Sequence, residues 1–248
     1  MPLMKALAGK TVLVTGGARR LGKAIALAMA DAGANVAVTY LASSDPARVT
    51  VDEIEAKGAK GLAVLCDVRR EQSVSAAVNT VLEKLGGIDV LVNNAGVFAT
   101  ARFEEITLDQ WDDVFATNVR GPFLVSKHCV PALRRTQGRI INLGSLGGEK
   151  PWVTHAHYCS SKAALHMLTR VMAKALAPQI AVNCVAPGTI DAEDGRDDPG
   201  FMNRVAQRTP MGRNGTLQEL ADAVLYFAAA SHFITGQILT VDGGLGLA

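Results

Sequence analysis

Short apolar strings rich in β-branched residues recur along the chain at residues 11–15, 35–40, 61–66, 88–93, 138–143, 179–186 and 237–241. None alternates strictly between apolar and polar, the pattern of strands buried on both faces of a parallel sheet. Longer segments with helical spacing separate them. Leu21, Ala24, Ile25, Ala28 and Ala32 form one apolar stripe, with Gly33 as its stop. Val74, Ala77, Val78, Val81 and Leu85 form another, closed by Gly86-Gly87. Such alternation predicts an α/β fold: a doubly wound, mostly parallel seven-stranded sheet with helices on both faces. No repeat, low-complexity tract or linker divides residues 1–248, so a single domain is expected. The stretch from Thr189 to Gly215, rich in Asp, Gly, Arg and Pro, reads as an irregular lid over about 189–215.

Composition narrows the function classes. Of 248 residues 49% are hydrophobic and the mean hydropathy is +0.20, ample for a large core. Lys+Arg 25 against Asp+Glu 23 leaves a net charge of +2, which implies no nucleic acid and no membrane as partner. The four cysteines, Cys66, Cys129, Cys159 and Cys184, lie far apart without metal-ligand spacing, so reduced thiols and no metal are expected. Met1 to Lys10 lacks the apolar core of an export signal, and no run of about 18 apolar residues occurs. A cytoplasmic protein is expected.

Three places carry chemistry. The first strand runs into Gly16-Gly17-Ala18-Arg19-Arg20-Leu21-Gly22 and then a helix. Glycines at such a turn let the backbone approach a pyrophosphate, which the helix N-terminus stabilises. Gly121-Pro122 interrupts a helical segment predicted over Leu108–Arg135. Proline has no N–H, so the carbonyl of Asn118 loses its donor four residues on. Lastly, Tyr158 and Lys162 stand four residues apart and share a helix face. A phenol titrates near about 10 in water, and an ammonium beside it favours the phenolate. Ser145 follows the fifth strand, at the sheet end where open α/β folds place ligands. No G-x-S-x-G elbow surrounds it, so a hydrolase reading does not compete.

Taken together, these motifs resemble the short-chain dehydrogenase/reductase family, and the resemblance covers Lys10 to Leu247. The T-G-x-x-x-G-x-G turn matches at Thr15, Gly16 and Gly22, with Arg20 in place of the middle glycine, as in the pteridine-reductase branch. The N-N-A-G motif is Asn93-Asn94-Ala95-Gly96, N-V-x-G-x-F is Asn118-Val119-Arg120-Gly121-Pro122-Phe123, and Ser145, Tyr158 and Lys162 reproduce the S–Y-x-x-x-K triad. The pteridine reductases commonly carry Asp where Ser145 stands. Pro187-Gly188-Thr189-Ile190 matches the turn that covers the nicotinamide, but Ala192 replaces the usual Thr that meets the carboxamide, leaving the backbone of Thr189 and Ile190 for that contact.

The resemblance implies a Rossmann-type fold that binds a nicotinamide dinucleotide through Gly16, Arg19, Arg20, Leu21, Gly22, Tyr40, Asp67, Val68, Asn94, Ala95, Gly96, Tyr158, Lys162, Pro187, Gly188 and Ile190. Asp67 would meet the adenine amino group. The second strand ends Thr39-Tyr40-Leu41 without the acid that holds a ribose 2′-hydroxyl, whereas Arg19 is available to a 2′-phosphate. NADP(H) is therefore expected over NAD(H). Asn118, Ser145, Tyr158 and Lys162 would be catalytic: Tyr158 as acid, Ser145 as donor to the carbonyl oxygen, Lys162 as the group depressing the phenol and holding the ribose, and Asn118 as the start of a water relay. Trp152 and His155, with His157 beside them, would shape the substrate pocket.

The implied activity is hydride transfer between nicotinamide and a carbonyl or alcohol, with 3-oxoacyl-[acyl-carrier-protein] reduction nearest. Arg134, Arg135 and Lys174 offer a basic contact for an acidic carrier. Asp191, Glu193, Asp194, Asp197 and Asp198 against Arg196, Arg204 and Arg208 give the lid no charge preference. The family also implies a homotetramer. Two other readings stand beside this one: a pteridine-reductase-like enzyme, supported by Arg19-Arg20 and the short Ala177-Pro178-Gln179-Ile180 turn, and a non-catalytic NADP-sensing regulator.

Overall fold

In the computed structural model, which describes residues 5–192 and 198–248, all seven predicted strings become strands of one sheet. In chain order the elements are β1 (Thr11–Val14), α1 (Arg20–Asp31), β2 (Asn35–Tyr40), α2 (Ser44–Ala56), β3 (Gly61–Leu65), α3 (Glu71–Leu85) and β4 (Val90–Asn93). There follow α4 (Leu108–Phe115), α5 (Gly121–Thr136), β5 (Arg139–Leu143), α6 (Ala156–Leu176) and β6 (Ala181–Pro187). The chain closes with β7 (Ile190–Asp191), α7 (Pro199–Arg208), β8 (Gly215–Thr216), α8 (Leu217–Ala229) and β9 (Ile238–Val241). The main sheet has the order β3-β2-β1-β4-β5-β6-β9, and its six pairings are all parallel.

The uninterrupted apolar character of the strands has a direct cause. Val12 and Val14 of β1 face a layer containing Ile25 and Met29 of α1 and Leu220 and Val224 of α8. Leu13 between them points the other way, toward Val74 and Val78 of α3 and Leu133 of α5. Both faces are covered, so both parities must be apolar. Truncating a fully enclosed residue such as Leu13 or Leu91 to alanine should cost about 2–5 kcal/mol. The sheet order reverses between β1 and β4, which opens a crevice at their carboxyl ends.

Two expectations need correction. The segment predicted as one broken helix over Leu108–Arg135 is α4 and α5 joined by a widened π-helical turn, Ala116–Arg120, with Pro122 in the first turn of α5. The widened turn shifts the bonding register, Gly121 N donating to Ala116 O five residues back, and so accommodates the donor that Pro122 lacks. The stretch Thr189–Gly215 is not irregular throughout. It contains the ten-residue α7, whose N-cap Asp198 accepts from Gly200 N at 3.1 Å and Phe201 N at 3.0 Å. Asp-Pro-Gly reads as a turn, yet an Asp N-cap before a first-turn proline also starts a helix. Ile190 and Asp191 pair in parallel with Gly215 and Thr216, clasping the two ends of the segment together. Glu193, Asp194, Arg196 and Asp197 lie outside the described residues, as do residues 1–4.

Candidate active site

The crevice is built first from backbone. Thr15, just after β1, presents its Oγ1 to the amides of Asn94 and Ala95, both at 3.0 Å. Asn94 returns the contact, its Nδ2 donating to Thr15 O at 2.9 Å and Gly16 O at 3.1 Å. Gly16 holds φ +65, and its amide donates to Thr39 Oγ1 at 3.2 Å. A Cβ at Gly22 would overlap Gly16 O and approach Asn94 Nδ2 to 2.5 Å. Only glycine lets α1 begin that close to the turn.

A cavity of about 370 Å³ opens above this turn. Eleven of the residues expected to bind the dinucleotide line it: Gly16, Arg19, Arg20, Leu21 and Gly22 from the turn, Tyr40 from β2, Asp67 and Val68 after β3, and Asn94, Ala95 and Gly96 after β4. Backbone cleared of side chains at a helix N-terminus suits a pyrophosphate. The Asp67 carboxyl is held below its ordinary value, chiefly by hydrogen bonds from Arg69. Arg69 Nε meets Asp67 Oδ1 at 2.9 Å and Arg69 Nη1 meets Asp113 Oδ1 at 2.7 Å. Sequence reading missed Arg69 and Thr39, although each stands within two positions of a residue it singled out.

Arg20 stands at φ +47, in the left-handed region that favours glycine. The residue in place of the family's middle glycine thus adopts a conformation that glycine takes without strain. A larger surface groove of about 1050 Å³ shares Asp67 and Arg69 with the cavity but runs along α4 and α5, away from Ser145, Tyr158 and Lys162.

The second part of the site lies one strand over, at the end of β5. Ser145 is buried, and its Oγ accepts from Gly147 N at 3.0 Å. Tyr158, in the first turn of α6, is 9% exposed. Lys162, one turn on, donates to Leu143 O at 2.8 Å and stands 5.8 Å from the Tyr158 ring centroid. Helix and strand end are therefore tied by the ammonium itself. Burial pushes Lys162 down to about 8. It pushes the Tyr158 phenol up, opposed by hydrogen bonding from Ser145. That direction is opposite to the one expected from an ammonium neighbour: desolvating a phenolate costs more here than the Ser145 hydrogen bond returns.

Asn118, only 1% exposed, closes the set from the π turn. Its Oδ1 accepts from Val97 N at 2.9 Å, while Nδ2 donates to Val97 O and Ser161 Oγ, both at 3.0 Å. Ser161 Oγ in turn donates to Tyr158 O at 2.7 Å. A Cβ at Gly96 would lie 3.2 Å from Asn118 Oδ1 and 3.7 Å from Lys162 Nζ, so the backbone here runs close to both side chains. A widened helical turn carrying a site residue fits the usual place of such turns.

Around Tyr158 stands an aromatic wall. Phe98, 63% exposed, meets the Tyr158 ring edge-on at 4.8 Å, and Trp152 stacks at 6.1 Å. His155 lies 4.8 Å from Phe98, with Nε2 and Thr100 Oγ1 3.0 Å apart. Trp152 and His155 thus both stand in ring contact with Tyr158. Phe98 was not singled out, although it sits two residues after Gly96. Pro187 ends β6 beside β5 and Gly188 follows it, where a Cβ at Gly188 would press on Asp242. Ile190 belongs to the β7–β8 clasp, and Thr189 O accepts from Gly215 N at 3.0 Å. These last three do not line the 370 Å³ cavity.

Comparison with known proteins agrees with this geometry. A family model described as enoyl-(acyl carrier protein) reductase matches residues 16–246. A 3-oxoacyl-[acyl-carrier-protein] reductase of Synechocystis is 38% identical over 246 residues, 98% of this chain and 99% of that one. Its counterpart from Staphylococcus epidermidis is 37% identical over 241 residues, 95% and 98% of the two chains. A crystal structure of a gluconate 5-dehydrogenase from Burkholderia cenocepacia, in complex with NADP and tartrate, superposes with a TM-score of 0.92 at 33% identity, covering 100% of both chains. With a glycine turn at the sheet's reversal, the Ser145–Tyr158–Lys162 set one strand away and full-length relatives of this kind, the chain belongs to the short-chain dehydrogenase/reductase family of oxidoreductases.

Proposed function

We propose that this chain is an NADP(H)-dependent reductase of carbonyl groups, with 3-oxoacyl thioesters carried by an acyl carrier protein as its substrate class. The observation that carries the reading is the buried Tyr158 phenol, one helical turn from Lys162 and beside Ser145, at the strand end adjoining the dinucleotide cavity. A phenol whose value is raised keeps its proton at neutral pH, as a general acid must. Bound nicotinamide supplies the hydride. Tyr158 delivers its proton to the carbonyl oxygen, and Ser145 donates a hydrogen bond to the charge developing there. Lys162 holds the helix against β5 through Leu143 O and presents a cation to the cofactor's ribose. Asn118 braces Val97 and Ser161 around that cation and opens the route by which the proton is replaced.

Arg19 in the cavity wall, with no acid at the end of β2, supports NADP(H) through a 2′-phosphate. Arg134, Arg135 and Lys174, all exposed, suit an acidic carrier. The segment between the β7 and β8 clasp acts as the lid over substrate. Four free thiols support a cytoplasmic setting. Exposed Phe123, Met167 and Val171 on α5 and α6 support association into a homotetramer, which light scattering on the purified protein checks.

The test is oxidation of NADPH and NADH against a panel of 3-oxoacyl thioesters, dihydropteridines, quinones and small ketones. Thioester turnover with kcat/KM favouring NADPH is expected. Preference for NADH refutes the cofactor assignment. Turnover of dihydropteridines alone moves the substrate to the reading that Arg20 favours, and tight NADPH binding without turnover makes the chain a sensor.

A further inference from the structure

The loop carrying Ser145 is Gly144-Ser145-Leu146-Gly147-Gly148, and the ring of His166 lies beneath it. His166 stands one helical turn beyond Lys162 on α6 and is 3% exposed. The amide of Ser145 donates to His166 Nε2 at 3.4 Å. That bond leaves the ring proton on Nδ1, which faces Glu149 Oε1 at 4.0 Å. The loop is wrapped around the ring. A Cβ at Gly144 would overlap His166 Nε2, and one at Gly148 would come within 2.7 Å of Cε1 and 3.0 Å of Nδ1. Two of the three glycines in the loop are thus matched to the imidazole. Burial, with the charges of Lys162 and Arg170, pushes His166 down to about 4, so the ring is neutral and Nε2 remains an acceptor under ordinary conditions.

We propose that His166 is a positioning residue for Ser145: its neutral ring fixes the Ser145 backbone from below, so that the hydroxyl faces the Tyr158 phenol and the substrate oxygen. This rests on the reading of Ser145 as donor to that oxygen. His166 takes no proton in the reaction. An apolar side chain of similar size would fill the space but leave the Ser145 amide without this acceptor, and the loop would settle elsewhere. Small displacements of a donor to a developing charge are expensive in rate.

His166→Leu and His166→Gln are compared with Ser145→Ala, measuring kcat and KM for a 3-oxoacyl thioester and the NADPH dissociation constant by fluorescence. His166→Leu should lower kcat by about 10- to 100-fold, with KM and NADPH affinity little changed. His166→Gln, whose amide oxygen can accept the same N–H, should recover most of the loss. Adding His166→Leu to Ser145→Ala should cost nothing further, because both act on one group. Should leucine not fold, His166→Ala, which lacks an acceptor and relieves Gly144 and Gly148, makes the same comparison. Wild-type kcat in the acceptor-free variant, equal loss in the glutamine variant, or additive losses in the double variant overturn the proposal. Wild-type kcat in Ser145→Ala instead overturns the reading of the serine itself, so the two failures are distinguishable.

Discussion

The two halves of the site are made of different material. At the end of β1 the cavity wall is backbone: Thr15, Gly16 and Gly22 are placed by Asn94 and by the absence of side chains. At the end of β5 the work falls to buried polar side chains, with Lys162 bonded to Leu143 O, Asn118 to Ser161 and His166 to the Ser145 amide. A backbone site binds any dinucleotide phosphate of the right shape and depends little on pH. A side-chain site performs proton transfer and carries the titration behaviour of its groups. Substitutions in the two halves should therefore fail in different ways.

The largest effect is expected in the side-chain half. Tyr158→Phe removes the proton donor together with its hydrogen bond to Ser145 and leaves the ring in place, so kcat for carbonyl reduction should fall by about 10²–10⁴-fold while NADPH affinity stays near wild type. Stopped-flow and equilibrium binding separate the two, and a variant that keeps near wild-type turnover sinks the mechanism. Gly22→Ala is the counterpart in the backbone half. Its Cβ must displace Gly16 O and Asn94 Nδ2, an overpacking cost of about 1–3 kcal/mol. Here NADPH affinity and thermal stability should fall together, read by titration and calorimetry. A variant that binds NADPH normally means that the turn is looser than its contacts indicate.

The difference between the halves also explains what was legible in the sequence. Strands buried on both faces must be apolar throughout, so the seven-stranded sheet could be read from composition and spacing. The glycine turn was legible because backbone crowding leaves no other residue type at Gly22. Tyr158, Lys162 and Ser145 were legible as residues, but their electrostatic balance was not. Whether burial governs Tyr158 depends on what α6 packs against, and here burial prevails over the Ser145 hydrogen bond. His166, Arg69 and Phe98 escaped notice because their meaning comes from neighbours distant in sequence. The helix α7 was hidden because Asp198-Pro199-Gly200 serves turns and helix starts alike.

A pH titration sharpens the contrast further. The folded value of Lys162 is lowered to about 8 from 10.5 by burial. Between those values the unfolded chain holds a proton that the folded chain has lost, so this group makes stability rise with pH through that window. The penalty for burying the ammonium is fully present below pH 8. The thiols of Cys66, Cys129 and Cys184, raised by burial, act in the opposite sense over the same range, so Lys162→Met should remove the rise and leave a Tm that falls more steeply, relative to wild type, between pH 8 and 10. Gly22→Ala should leave the slope unchanged. Parallel profiles for wild type and Lys162→Met indicate that the ammonium is solvated rather than enclosed.

The smallest effect concerns Arg20, a charged side chain within the backbone half. At φ +47 a non-glycine residue costs about 1–2 kcal/mol relative to a right-handed conformation. Glycine would relieve that strain but adds about 0.4–1 kcal/mol of entropy to the unfolded chain. The two nearly cancel, so Arg20→Gly should change stability by about 1 kcal/mol or less, in the stabilising direction. Strain of this kind persists where the side chain is needed, and Arg20 lines the dinucleotide cavity. The same substitution should therefore weaken NADPH binding while Tm holds or rises slightly. Unchanged affinity with a raised Tm assigns Arg20 no part in binding. Weaker binding shows that its charged side chain contributes to the wall, at the position where glycine would have been easier to fold.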